Sequence, residues 1–290
     1  RRRCGGGRRG LWLPGVSPSR ERRLSDRVFG LSLFGSRHFS TSVAAMMLTI
    51  LALSGAWLMV FQYLQGVLGL SPLQAGLAML PPAVVQTAAS LLIPAATRYI
   101  PHSRLVSGGL VLAAVGLAAL MRVNDIDDLM LLVVGMTIMG MGVMPMMILG
   151  TDMVVSAAPA TKAGAASATS ETATELGMAL GIAVIGSVGA AVYRRHMLDA
   201  MPAGLNEAQA LAAGDTLGGA IGAAAQLPPA LAAQALEAAR AGFGAALHTS
   251  SAIGAVIIAG TALMTARLLR GRPANGAAPA GAAETVEEQP

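Results

Sequence analysis

Residues 129–150 read LMLLVVGMTIMGMGVMPMMILG, without one charged side chain. In hydrocarbon such a run must satisfy its backbone internally, and a helix of about 20 apolar residues does so while crossing a bilayer. Five further segments have the same character: 43–64, 75–97, 105–121, 164–192 and 247–265. The 290 residues are 54% hydrophobic and only 12% charged, about half the charge of a typical water-soluble domain. These runs predict an all-α integral membrane protein with six transmembrane helices.

Several chemistries are excluded by what the chain lacks. Cys4 is the only cysteine, so neither a disulfide framework nor a thiolate metal site can form. The four histidines (His38, His102, His196 and His248) are scattered and make no metal-binding pattern. No G-x-x-x-x-G-K-[ST] loop is present, and GMGVMP at 140–145 lies inside an apolar run, where its glycines read as packing residues. No nucleophile–base set argues for an enzyme. A high isoelectric point could point to nucleic acid, but half of the 20 basic residues precede Ser40, and the rest fall in loops or at helix ends.

Those basic residues also orient the chain, because Lys and Arg favour the cytoplasmic side of short loops. Starting inside places Arg98, Arg104, Lys162, Arg267, Arg270 and Arg272 with the N-terminal ten, and leaves Arg122, Arg194, Arg195 and Arg240 outside. Both termini are then cytoplasmic, in a multi-pass protein of the cell (inner) membrane, with the lipid bilayer as its surroundings. Pro81, Pro82 and Pro94 are expected to kink the second span. The alanine-rich stretch 198–246, broken at 227–229 and carrying Asp215, Glu237 and Arg240, reads as an outer helical hairpin on the membrane surface, with a re-entrant pair as the alternative. The expected organisation is a basic segment over 1–24, disordered or from a mis-assigned frame; a lead-in and five spans over 25–197; the hairpin over 198–246; a sixth span over 247–270; and a disordered tail over 271–290.

The fifth span contains ASATSETATELGMALGIA, with Glu171 and Glu175 one turn apart and no Lys or Arg from Ala163 to Tyr193. At about 100° per residue the two glutamates share a face. Ser167, Thr174, Gly181 and Gly177 follow on one side of it, and Leu176, Leu180 and Val184 lie behind. Gly177 and Gly181 form a G-x-x-x-G, suited to close helix packing. On this reading the carboxylates face protein or a water-filled cavity. Desolvation and a neighbouring carboxyl both favour protonation, so a cation that binds would expel protons. The bland alternative places both near the cytoplasmic mouth, merely solvated or paired with a base.

Other residues carry weaker signals. Met141 and Met144 belong to a methionine-rich span that suits either a promiscuous apolar pocket or ordinary packing. Gln86, Thr87 and Ser90 form a polar patch, open to substrate contact or to helix–helix hydrogen bonding. Asp152, just past the fourth span, reads as a cap or a cytoplasmic residue. No metal ligand set and no organic cofactor is expected.

The stretch APATKAGAASATSETATELGMALGIAVIGSVGAAVYRRH resembles the penultimate span of the fourteen-span drug:proton antiporters of the major facilitator superfamily, the QacA, SmvA and EmrB type. LSLFGSRHFSTSVAAMM and FQYLQGVLGLSPLQAGLAMLPPAV resemble the approach to the ninth span and the link to the tenth. The resemblance runs from about residue 25 to 272 and implies that these are the last six of fourteen spans. It implies export of lipophilic or quaternary ammonium cations driven by a proton gradient, with Glu171 and Glu175 at places thought to bind cation and protons. Some relatives carry aspartate in the tenth span where this chain has Gln86, which cannot carry a proton. The family's signature motifs of the earlier spans are absent from this sequence. The chain is therefore expected to be a fragment, inactive without a missing N-terminal half. The alternative is a non-transporting regulatory or dominant-negative half-protein.

Overall fold

A computed structural model describes residues 31–123 and 128–268. The basic segment 1–24, the start of the lead-in, part of the turn at 122–128 and the tail 271–290 lie outside the described residues.

A short 3-10 helix, Leu31–Gly35, leads into α1, Arg37–Gln62, whose start is capped by the Ser36 hydroxyl accepting from the Phe39 amide at 3.4 Å. Fully buried Phe39 meets Phe34 edge to face, and Lys162 donates to the Ser32 hydroxyl at 2.8 Å, tying this end of α1 to the loop before the fifth span. At its other end α1 widens into a π-helical turn, Tyr63–Val67, and the chain reverses at Gly69, where φ is +66°. Glycine suits that left-handed position because it has no Cβ to clash.

The second span is two helices, α2 (Pro72–Ala78) and α3 (Leu80–Ala96), bent by 41°. A reciprocal cap between Ser71 and Gln74 opens α2, with Pro72 in its first turn. The expected kink at Pro81 and Pro82 is corrected in position: the break falls at Met79, and the prolines form the first turn of α3, where a missing N–H costs nothing. Pro94 lies in the last turn of α3, which ends at Ala96.

Next come α4 (His102–Leu120), α5 (Leu129–Ser156) and α6 (Ala163–Ala200). Asp152 thus sits exposed inside the last turns of α5, not past its end as a cap. Two short helices, α7 (Glu207–Asp215), which carries acidic residues, and the apolar α8 (Leu217–Ala224), are followed by α9, Pro229–Leu268. The break at 227–229 is where it was expected, but no boundary follows at 246/247. Alanine-rich sequence without an internal proline carries α9 unbroken from Pro229 through residue 247 to Leu268. Five of the described helices are long and apolar enough to cross a membrane, and the bent α2–α3 pair makes a sixth if it counts as one span.

α4 and α5 meet along glycines. A Cβ on Gly116 would strike the backbone of Met139 and Gly135, and one on Gly142 would strike Ala113 and Gly109. α9 lies against α4, α1 and α6, while α3 joins the body through α5. α3 and α6 keep much of their surface uncovered: α3 buries only Pro82 and Ile93. Filling the α4–α5 seam should therefore be costly. Gly142→Leu is expected to destabilise the detergent-purified protein by roughly 1–3 kcal/mol, read as a lower thermal midpoint. Gly76→Ala, where a methyl group meets open space, should leave the midpoint unchanged or raise it.

Candidate functional site

α6 presents a narrow buried strip made of Ala166, Ser170, Ala173, Gly177 and Gly181. Gly177 lies on the Met47 carbonyl of α1, and Gly181 lies on the Leu51 carbonyl and the Ser54 hydroxyl. Ser54 donates back to Leu51 O at 3.2 Å and to Met178 O of α6 at 3.3 Å. The small residues therefore face α1. Glu171 and Glu175 stand about 120° and 160° around the helix from Gly177, and both are exposed. The carboxylates, expected to face protein or a water-filled cavity, are both left uncovered by the described helices, because the glycine seam and the acidic face point in different directions.

The hydroxyls around the pair do not ligate it. Thr169, Ser170, Thr172 and Thr174 donate to carbonyls of their own helix at 2.8–3.0 Å. Among the described residues neither carboxylate forms an ion pair. Beyond them α6 exposes Leu176, Met178, Ile182 and Val184, each between 43% and 49% accessible. A helix with two carboxylates and a bare aliphatic flank is unfit for open water and for lipid alike. Hydrocarbon charges a few kcal/mol for each charged group.

Gln86 of α3 lies over Gly140 of α5, whose missing side chain makes room for it. Thr87 and Ser90 bond their own backbone, to Ala83 O at 2.8 Å and Thr87 O at 2.7 Å. Met141 and Met144 are half-buried on α5. The structure thus seats Gln86 on α5, the helix that also carries Met141 and Met144, and places the glutamates on α6, which packs against α1 and α9.

A cavity of about 400 Å³, signalled by no local pattern, lies where α1 and α6 approach α7 and α8, lined by Leu58, Gln62, Ile182, Ser187 and the ion pair Arg194–Asp215. Ile182 and Gly186, which line it, continue the α6 face that bears Glu171, Glu175 and Met178, each step three or four residues on. One of its walls comes from α7 and α8. The Tyr193 hydroxyl donates to Ala213 O at 2.8 Å, and Arg194 pairs with Asp215 at 3.2 Å. Asp215 had registered only as a residue unsuited to a span; its partner is 21 positions away.

Residues 10–182 match the Major Facilitator Superfamily. The chain belongs to that family. It is 38% identical over 240 residues to the multidrug efflux pump LfrA of Mycolicibacterium smegmatis, covering 82% of this chain and 47% of the relative. The methyl viologen resistance protein SmvA of Salmonella typhimurium is 30% identical over 235 residues, 81% of this chain and 47% of that protein. The puromycin resistance protein pur8 of Streptomyces alboniger is 31% identical over 185 residues, 62% and 36% of the two chains. The chain spans about half the length of the first two relatives. This family membership makes it a multi-pass membrane protein of transporter type, related to efflux pumps rather than to enzymes.

The two ties that hold α7 to α6 differ in strength. Tyr193 is buried and its partner is a helix-end carbonyl, so Tyr193→Phe leaves that carbonyl unpaired at a cost of about 1–3 kcal/mol. Asp215→Asn breaks a solvent-exposed pair worth under ~1 kcal/mol. Limited proteolysis within 201–216 should accelerate at least about fivefold in the first variant and change little in the second.

Proposed function

We propose that this chain is the C-terminal half of a proton-coupled multidrug exporter and comprises the last six of fourteen spans. The intact transporter expels lipophilic or quaternary ammonium cations from the cell across the inner membrane, with both termini of this half cytoplasmic. One observation carries the reading: Glu171 and Glu175 share an exposed face of α6 and are the only charged residues from Ala163 to Tyr193. Within lipid that face calls for cover by further helices, and major facilitator sites lie between two halves near the midplane. The relatives' names, which speak of multidrug efflux and of resistance to methyl viologen and puromycin, support drug export as the class.

Covered by a second half, the two carboxyls would lose water, which favours their neutral form. A lipophilic cation arriving there restores the charged form and sends protons off. Protons returning from outside discharge the cation. The proton gradient is then the energy source, and no cofactor takes part. Gln86 is uncharged and packed on Gly140, so proton binding falls to the α6 pair. Met141 and Met144 supply deformable apolar contacts for the drug. Alone, this half has one wall of such a site and does not transport.

The test is ethidium efflux by the longer transporter that contains these residues. Glu175→Gln should lower efflux at least about tenfold and abolish its dependence on an imposed pH gradient, since an amide holds no exchangeable proton in this range. Unchanged efflux with unchanged pH dependence would remove the assigned role.

A further inference from the structure

A second concavity is lined by neither glutamate nor any other residue of α6. It is a groove of about 1340 Å³ between α4 and α9. Its floor is made by small residues, Gly108, Ala114 and Ala118 on α4 with Ala259, Ala262 and Ala266 on α9. Val111, Val115 and Leu263 stand over it, each more than half exposed. At one end the lining changes character, to Ser103, Arg104 and Ser107. Arg104 is exposed and forms no ion pair among the described residues. Arg267, also exposed, follows directly on Ala266 at the same end.

We propose that this groove binds an anionic phospholipid, with its phosphate at Arg104 and an acyl chain laid along the floor. Charge complementarity is what singles out this occupant. Arg104 lines one end of a trough that is otherwise largely apolar, and Arg267 follows Ala266 there. Neither has a carboxylate partner among the described residues, and Ser103 lines the same end. Guanidinium groups match phosphate oxygens geometrically. The dimensions agree as well. At 1.5 Å per residue, Arg104 and Val115 are roughly 16 Å apart, about half of a ~30 Å hydrocarbon core, which is the depth of one leaflet. Basic pockets between helices on the cytoplasmic side suit acidic headgroups, and the charge distribution puts Arg104 and Arg267 on that side. The site does not depend on the glutamates or on transport.

Native mass spectrometry of the full 290-residue chain in detergent tests the assignment, using phosphatidylglycerol and phosphatidylcholine of identical acyl chains. Phosphatidylglycerol should be retained preferentially, and Arg104→Gln should cut its retention roughly fivefold with little effect on phosphatidylcholine. Gly108→Phe, placed where a Cβ meets nothing within 4 Å, should block the trough to both lipids. If that variant does not fold, the exposed Arg104→Gln still decides the matter. Equal retention of the two lipids, or an unchanged Arg104→Gln, would overturn the proposal. So would displacement by millimolar inorganic phosphate regardless of acyl chain, which would mark a plain anion site.

Discussion

At Gly181 the backbone of α6 comes so near α1 that a methyl group would strike the Leu51 carbonyl and the Ser54 hydroxyl, and at Gly177 it would strike the Met47 carbonyl. Lipid tails are as apolar as leucine, so helices in a membrane gain little from burying aliphatic side chains against one another. Close van der Waals contact and interhelical hydrogen bonds hold them instead. The two glycines supply the first and Ser54 the second. Once this seam is set, the rotation of α6 about its axis is set with it. The direction in which Glu171 and Glu175 point follows from the packing of two residues that have no side chains.

The same device joins α4 to α5 at Gly109, Gly116, Gly135 and Gly142. Backbone contacts thus set these two seams around a core of buried side chains such as Leu110, Leu117, Leu132 and Met136, while other bulky side chains stand on uncovered faces. Leu80, Val84, Leu91 and Leu92 on α3, and Leu176 to Val184 on α6, are apolar surface left bare by the described helices. On α6 that surface adjoins two carboxylates. In the proposed transporter, helices from the other half cover it. On α4 and α9 the bare surface adjoins arginine, and the proposed neighbour is lipid.

Much of this could be read from composition and local pattern. Apolar runs located the long helices to within several residues, the start of α9 excepted, and Gly177 and Gly181 announced a close contact. What could not be read was set by tertiary placement. Alanine-rich sequence is helical both in water and at a membrane surface, so nothing local revealed that α9 continues through residue 247. The prolines at 81 and 82 fit a kink or a helix start equally well, and the capped turn before them decided for the start. Gln86 was ambiguous until Gly140 was found beneath it. The cavity beside α7 and α8 was hidden because Arg194 and Asp215 belong to different helices. The helical wheel put Glu171 and Glu175 on one face, but a wheel tells only which residues share a face and not what that face meets.

The central claim is that the face of α6 bearing Glu171 and Glu175 becomes a proton- and cation-binding site when further helices cover it. Labelling by a lipophilic carbodiimide, which attacks protonated carboxyls in apolar surroundings, addresses this most directly. In membranes containing the longer transporter, modification at Glu175 should decline as pH rises and be suppressed by a saturating lipophilic cation. Modification that ignores both pH and cation, or none at any pH, would contradict the account.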